Sequence, residues 1–332
     1  MRNFYILSSS RLKRKGGTLY VIIKNNENVI KKPIPIHSVS SLYVFNEIDL
    51  NTKLLKLLSK NGIPIHFFNN FGFYYGSYVP RKSLISGYLT IEQAKNYLDN
   101  EKRMKIAKEF VKGAIHNSVK NLFHYKKLQI KLDEEINNLK NILEDIEHCK
   151  TRDQLMSAEG RAKQIYYSAF EKFLGKEFRL EKRVRRPPDN MINCLISFGN
   201  SLLYTLVLSE IYHTQLDPGI SFLHEPLERR FSLALDISEV FKPVIVDKVI
   251  FKLINNKMIN EKHFIKELNF TYLNEKGRRL FLEQFDVRIQ QTIYYSKLKR
   301  HVSYRKLIRL ECYKLIKHLI GDGIYKSFKM KW

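Results

Sequence analysis

The hydrophobic period of this chain changes near residue 80, and that change limits the folds open to it. Before it, apolar residues fall in short β-branched and aromatic runs at residues 3–7, 18–23, 39–45, 63–68 and 73–79, the composition of pleated strands. Gly16-Gly17, Asn25-Asn26-Glu27-Asn28 and Asn69-Asn70-Phe71-Gly72 supply the turns between them. One short helix interrupts the set, with Leu54, Leu55, Leu57 and Leu58 between a cap at Asn51 or Thr52 and a stop at Gly62. After Pro80-Arg81-Lys82 the spacing becomes helical: Ala94, Tyr97, Leu98, Met104, Ala107, Phe110, Val111, Ala114 and Ile115 make an i, i+3, i+4 stripe. Further helical patterns cover residues 121–146, 153–173, 189–213, 243–255, 275–300 and 304–320. A length of 332 residues exceeds the usual single core. The expected class is α+β: a small N-terminal β-rich domain, residues 1–82, followed by a larger all-helical domain, residues 83–332.

Charge points to the partner. There are 58 Lys and Arg against 33 Asp and Glu, a net +25, a self-repelling excess that a polyanion would relieve. Nucleic acid fits best; an anionic membrane surface, an acidic protein or a plain basic surface also satisfies the balance. Both parts of the chain are basic, residues 1–82 with 13 Lys and Arg against 3 Asp and Glu. Candidate phosphate contacts are Arg81 and Lys82, Arg185 and Arg186, Arg229 and Arg230, and Lys299, Arg300 and Arg305, each of which also fits a solvated face. Cys149, Cys194 and Cys312 form no CxxC pair, which disfavours a disulfide framework or a thiolate zinc site. The basic N-terminus lacks an apolar leader core, so a cytoplasmic location is expected. Residues 191–209 carry no charge, but their Asn, Ser, Thr and Gly suit a buried helix better than a lipid span, so no membrane association is expected.

One carboxylate breaks a helical rule. On the stripe Leu155, Glu159, Ala162, Tyr166, Ala169, Phe173 every other position is apolar or amphipathic, so Glu159 faces the packing side and needs a cation, a metal or several donors. An ion pair with Lys or Arg is the plainer solution. His224 lies in a turn-rich loop, Asp217 to Pro226, where an imidazole serves as an ordinary loop residue or a divalent-metal ligand. Asp236 and Glu239 are three residues apart. They read either as an N-cap and its capping-box partner or as two carboxylates on one helical face able to hold a metal.

Several segments then become familiar in order: Ser157-Ala158-Glu159-Gly160-Arg161-Ala162, Arg185-Arg186-Pro187-Pro188-Asp189-Asn190, Ser197-Phe198-Gly199-Asn200-Ser201-Leu202-Leu203-Tyr204, Leu216-Asp217-Pro218-Gly219, and Gly219 through Glu225. Ser232-Leu233-Ala234-Leu235-Asp236 with Glu239 and Phe241-Lys242-Pro243, then Val302-Ser303-Tyr304-Arg305, complete the set. Together they resemble the CRISPR-associated adaptation integrase family, CRISPR-associated protein one, over most of the chain.

The resemblance implies a β domain that helps form a homodimer and a helical catalytic domain. Glu159, His224 and Glu239 match the family's metal ligands for Mn²⁺ or Mg²⁺, and Asp236 an additional acidic position. Glu239 stands where many members have Asp, a longer side chain that bears on metal preference. The implied activity is insertion of short foreign DNA fragments into a CRISPR array by phosphodiester transesterification, with a small partner, CRISPR-associated protein two. A metal-dependent nuclease of branched or single-stranded DNA and a non-enzymatic basic scaffold are the alternatives. The runs at residues 63–68 and 71–79 are expected to supply the dimer's burial.

Overall fold

Val39–Val44 and the following Phe45 are almost wholly buried, and they divide by alternation between two cores: Leu42 and Val44 enter one, Tyr43 and Phe45 the other. A strand covered on both faces is central. The computed structural model, which describes residues 1–25, 28–81, 84–185, 187–228, 230–268 and 270–331, builds two sheets around it. In chain order the N-terminal elements are β1 (Arg2–Ile6), β2 (Ser10–Lys15), β3 (Thr18–Asn25), β4 (Asn28–Pro35), β5 (Val39–Val44), β6 (Ile48–Asp49), α1 (Thr52–Lys60), β7 (Ile65–Phe68) and β8 (Tyr74–Tyr78). One sheet has the order β1-β5-β7-β8, parallel through β7 with β8 antiparallel; the other has the order β4-β3-β2-β6. Leu12, Leu19, Leu42, Leu54, Leu58 and Ile65 fill the first core between the sheets and α1. Asn51 caps α1 through Leu54 N–H at 3.1 Å, and Gly62 turns the chain out of it with a φ of +63°.

Two strands lie outside the apolar runs of the sequence. β2 is the basic segment Ser10–Lys15, in which Leu12 alone is buried. β4 is an exposed edge strand carrying Lys31, Lys32, Pro33 and Pro35, charges and prolines that protect an edge from pairing with another chain. Asn26 and Glu27 of the expected turn lie outside the described residues.

The rest is mostly helical: α2 (Gly87–Leu98), α3 (Asn100–Lys126), α4 (Asp133–His148), α5 (Arg152–Ser168), α6 (Glu171–Leu174), α7 (Met191–Tyr212), α8 (Ser232–Phe241), α9 (Asp247–Asn255), α10 (Glu275–Gln290) and α11 (Tyr304–Leu319). Two expected helices are corrected. The pattern at 121–146 splits between α3 and α4, where the chain reverses through Gln129 at a φ of +65°. The pattern at 275–300 ends at Gln290, because Thr292, Ile293, Tyr294 and Tyr295 favour a strand. That strand, β11 (Thr292–Tyr295), pairs with β12 (Arg300–Ser303), and an earlier hairpin joins β9 (Phe264–Glu267) to β10 (Phe270–Leu273). The helical part is therefore not strictly all-helical.

α7 is long and apolar enough to cross a membrane by length, yet it runs through the core and ends with Glu210 buried. Gly199 on α7 permits close packing, since a Cβ there would sit 2.5 Å from Val246 and 2.9 Å from Phe281. The sheet of β5 shares this core through Tyr43, Phe45 and Phe68. His66 Nε2 meets Ser209 Oγ at 2.7 Å, Tyr74 N–H donates to Ser201 Oγ at 3.2 Å, and Arg305 donates to Asn3 Oδ1 at 3.0 Å. The run at 63–68 is mostly buried within the chain, whereas residues 71–79 are largely half-buried, with Phe71 edge-on to Phe270 at 4.8 Å and Tyr75 70% exposed.

Candidate functional site

Two helices deliver Glu159 and Glu239 to one point. Thr151 and Gln154 form the capping box that starts α5, and two turns on, the Leu155, Glu159, Ala162, Tyr166 face is buried as its spacing predicts. On α8, Ile237, Val240 and Phe241 pack into the core and carry Glu239 inward beside them. Both carboxylates are nearly covered, Glu159 at 6% and Glu239 at 3% exposure. Lys163, one turn after Glu159, reaches both, its Nζ lying 2.9 Å from Glu239 Oε2 and in contact with Glu159 Oε1. Lys242 Nζ donates to Glu239 Oε1 at 2.5 Å.

Burial alone would raise the Glu239 carboxyl, but the Lys163 and Lys242 ammoniums outweigh it and hold it well below the usual carboxylate range. Burial would lower Lys163, yet Glu239 and Glu159 push it up; Lys242 is lowered by burial and by Lys163 beside it. Both lysines therefore belong to the site. Their signal was legible as Glu-to-Lys pairs at i, i+4 and i, i+3.

Asp236 is not an N-cap. It lies inside α8, whose N-cap position is Phe231, and its fully buried carboxylate reaches back to the loop bearing His224. Oδ2 accepts Phe222 N–H at 2.7 Å and Leu223 N–H at 2.9 Å; Oδ1 accepts His224 N–H at 2.9 Å and faces His224 Nδ1 at 2.8 Å. A carboxylate only accepts, so Nδ1 carries a proton and Nε2 is the ring nitrogen not engaged by Asp236. The same loop is clamped by Gln93, which donates to Asp217 O at 2.9 Å and Ile220 O at 2.7 Å. Arg103 donates to Glu225 at 2.7 Å, and Arg152 and Tyr97 hold the same carboxylate.

A cavity of about 30 Å³ opens between these groups, lined by Ser118, Glu159, Lys163, Tyr167, Glu239 and Asp247 among others. That is room for about one water. Tyr166 donates to Asp247 at 3.0 Å, and Asn121 supports both Tyr166 and Pro243 O at 2.8 Å. Burial pushes the Asp247 carboxyl up to about 7, against the Tyr166 hydroxyl and Lys242 that lower it. A turn of π-helix, Lys242–Val246, follows α8 and swings Lys242 toward Glu239.

Among the described residues no three His, Cys, Asp or Glu side chains stand close enough to hold a metal together. Glu159 and Glu239 do converge, and His224 acts on Glu239 electrostatically. Glu159 Oε1 and Glu239 Oε2 are buried without a directed hydrogen bond, Lys163 meeting them as an ion pair only. Two carboxylate oxygens held only by one ammonium, with an oriented imidazole nearby, are a donor set suited to Mn²⁺ or Mg²⁺.

The basic candidates separate. Arg81, Arg185, Lys299 and Arg300 are exposed, the last two on the hairpin of β11 and β12. Arg230 is half-buried and donates to Glu225 O at 2.7 Å. Arg305 is not a surface contact: its side chain is 15% exposed and pairs with Glu210 at 2.7 Å. Lys82, Arg186 and Arg229 lie outside the described residues.

Known proteins share both the sequence and the fold. A family model, CRISPR associated protein Cas1, matches residues 4–287. The CRISPR-associated endonuclease Cas1 3 of Thermodesulfovibrio yellowstonii is 50% identical over the full length of both chains. A solved Cas1 protein from Thermotoga maritima is 43% identical and superposes with a TM-score of 0.86, covering 98% of this chain and 100% of that one. A casposase bound to integration product shares the fold at 21% identity, with a TM-score of 0.86 over 98% of this chain and 93% of its own. On the family match and the full-length identity, the chain belongs to the CRISPR associated protein Cas1 family.

Proposed function

We propose that the chain is a metal-dependent DNA endonuclease and integrase that inserts short DNA fragments into a CRISPR array. The observation that carries this reading is the convergence of Glu159 and Glu239, from two helices, beside a His224 whose tautomer Asp236 fixes. Glu159, Glu239 and His224 would hold Mn²⁺ or Mg²⁺, His224 through Nε2. When bound, such an ion supplies Lewis-acid polarisation of a phosphate oxygen and offsets charge developing at phosphorus.

The chain's own groups do the rest. Asp236 fixes the place and aim of the imidazole, and the clamp of Gln93, Arg103 and Arg152 keeps its loop in place. Lys242, shared with Glu239, places a second positive charge beside the site. Exposed Arg81, Arg185, Lys299 and Arg300 position DNA through phosphates, while duplex shape and partners select the sequence. The nucleophile is a DNA 3′-hydroxyl in joining and water in cutting.

The family's names support the wider setting. Relatives are named endonucleases, and fold neighbours include a casposase bound to integration product and a complex containing Cas1 and Cas2. We place this chain in the cytoplasm as a homodimer with DNA and the small protein two of the same system. Its dimer surface would draw on exposed apolar groups of the N-terminal part, Phe71 just before β8, Tyr75 on it, and Val29 and Ile30 on the edge of β4. A second reading, a non-enzymatic basic scaffold, draws on the ion pairs of Lys163 and Lys242, which together balance the two carboxylates.

The deciding experiment incubates wild type and Glu159→Gln with branched DNA and supercoiled plasmid, with and without Mn²⁺. Cutting and covalent attachment of labelled fragments should need both the metal and Glu159. Cutting without attachment leaves only the nuclease; neither, with DNA still bound, leaves the scaffold.

A further inference from the structure

We propose a second DNA site, separate from the carboxylate centre, that takes unpaired nucleotides in the cavity between the β11–β12 hairpin and the C-terminal tail. This rests on the reading of DNA as the partner. The cavity measures about 450 Å³, within the range of small-ligand sites.

Its walls are rigid on one side. Asn117 donates to Phe328 O at 3.1 Å and accepts Met330 N–H at 2.8 Å, while Phe328 stacks on Phe241 at 5.7 Å and 8°. Gly113 lets the tail lie flat on α3, since a Cβ there would sit 2.5 Å from Ser327 Oγ. Phe241 is two residues from Glu239, so this wall is built on the helix that carries the proposed chemistry.

The lining combines two chemistries that meet in a nucleotide. Tyr294 and Tyr295 present rings to the cavity, Tyr294 with 60% of its surface exposed. Lys297, Lys326, Lys329 and Lys331 surround them, and among the described residues none of the four has a carboxylate partner. By contrast Lys314, deeper in, is held by Glu311 at 2.6 Å. Unspent ammoniums beside an exposed ring match a phosphate next to an unstacked base. A duplex can offer such a concavity phosphates but not base faces, so the ring selects single strands.

The test is fluorescence anisotropy of the full chain with a labelled oligothymidylate and, separately, a blunt duplex. Tyr294→Ala should weaken the oligothymidylate about fivefold to a hundredfold, the worth of one base stack, and leave the duplex within about twofold. Tyr294→Phe, which keeps the ring, should restore wild-type affinity. The pair Lys326→Gln and Lys329→Gln should flatten the salt dependence of single-strand binding by about 0.7 in log-log slope for each phosphate that is released. Equal weakening of both DNAs by Tyr294→Ala, no weakening of either, or failure of Tyr294→Phe to restore binding overturns the pocket. A wild type that binds duplex but not single strand overturns the pocket alone; one that binds neither overturns the DNA reading as well.

Discussion

Asp236 Oδ1 faces the backbone nitrogen of His224 at 2.9 Å and its Nδ1 at 2.8 Å, so a single oxygen fixes both the place and the tautomer of the imidazole. Oδ2 is equally committed, to Phe222 and Leu223. Asp236→Asn must therefore point an amide N–H₂ at backbone donors or at the ring. The expected loss is about 1–3 kcal/mol, read by urea unfolding, together with reduced metal-dependent cutting. A variant as stable and as active as wild type would refute the anchoring role.

Lys163 substitutes for a cation between Glu159 and Glu239. Removing it in Lys163→Met leaves buried charge uncompensated, an expected loss of about 3–5 kcal/mol in chelator. Mn²⁺ should restore much of that stability, raising the melting temperature of the variant more than that of wild type. Equal responses of the two proteins to Mn²⁺ would contradict a metal site at these carboxylates.

Arg305 ties α11 to Glu210 and to Asn3, so Arg305→Met should cost about 3 kcal/mol in stability while leaving the salt dependence of DNA binding unchanged. Lys299→Gln with Arg300→Gln should do the reverse, lowering the log-log slope by about 0.9 for each phosphate no longer neutralised. A normal slope in the double variant removes the hairpin tip from the DNA surface.

His66 is fully buried between Ser77 and Ser209, and desolvation, with Arg305 nearby, lowers it from 6.5 to about 3. The folded form keeps the ring neutral where the unfolded chain binds a proton. Stability from this group is thus complete above the unfolded value and declines as pH falls toward about 3, by up to about 1.4 kcal/mol per pH unit. His66→Gln should be less stable than wild type at neutral pH, with the gap closing on acidification. A gap that stays constant would show that His66 does not set the slope.

What was legible in the sequence was what repeats along it. The double-sided burial of β5, the stripe that carries Glu159 inward and the core helix α7 all follow from local periodicity. Asp236 stays open between a cap and a metal-site carboxylate because its partners, Phe222 to His224, lie across a loop, and a carboxylate near a helix start looks the same whether it caps that helix or holds another segment. Arg305 reads as surface charge because its partner Glu210 is 95 residues away. Strand β2 is hidden because only Leu12 faces the core while its charges face water.

The bond from Arg305 to Asn3 also has a consequence in time. A ribosome extends a chain at about 5–20 residues per second, so the first strand waits roughly 15–60 s for its partner from the last helix to emerge. Tyr43, Phe45 and Phe68 gain a helical cover sooner, when α7 emerges and Phe198 comes to lie 5.9 Å from Phe45, whereas the buried Glu210 at the end of α7 waits for Arg305 and Arg309 until the last helix is made. Transcripts broken before the codon for Tyr304 would yield chains whose Glu210 keeps its burial against the sheet but lacks both of its arginines, so the last helix to be made supplies the charge balance of a core laid down long before it.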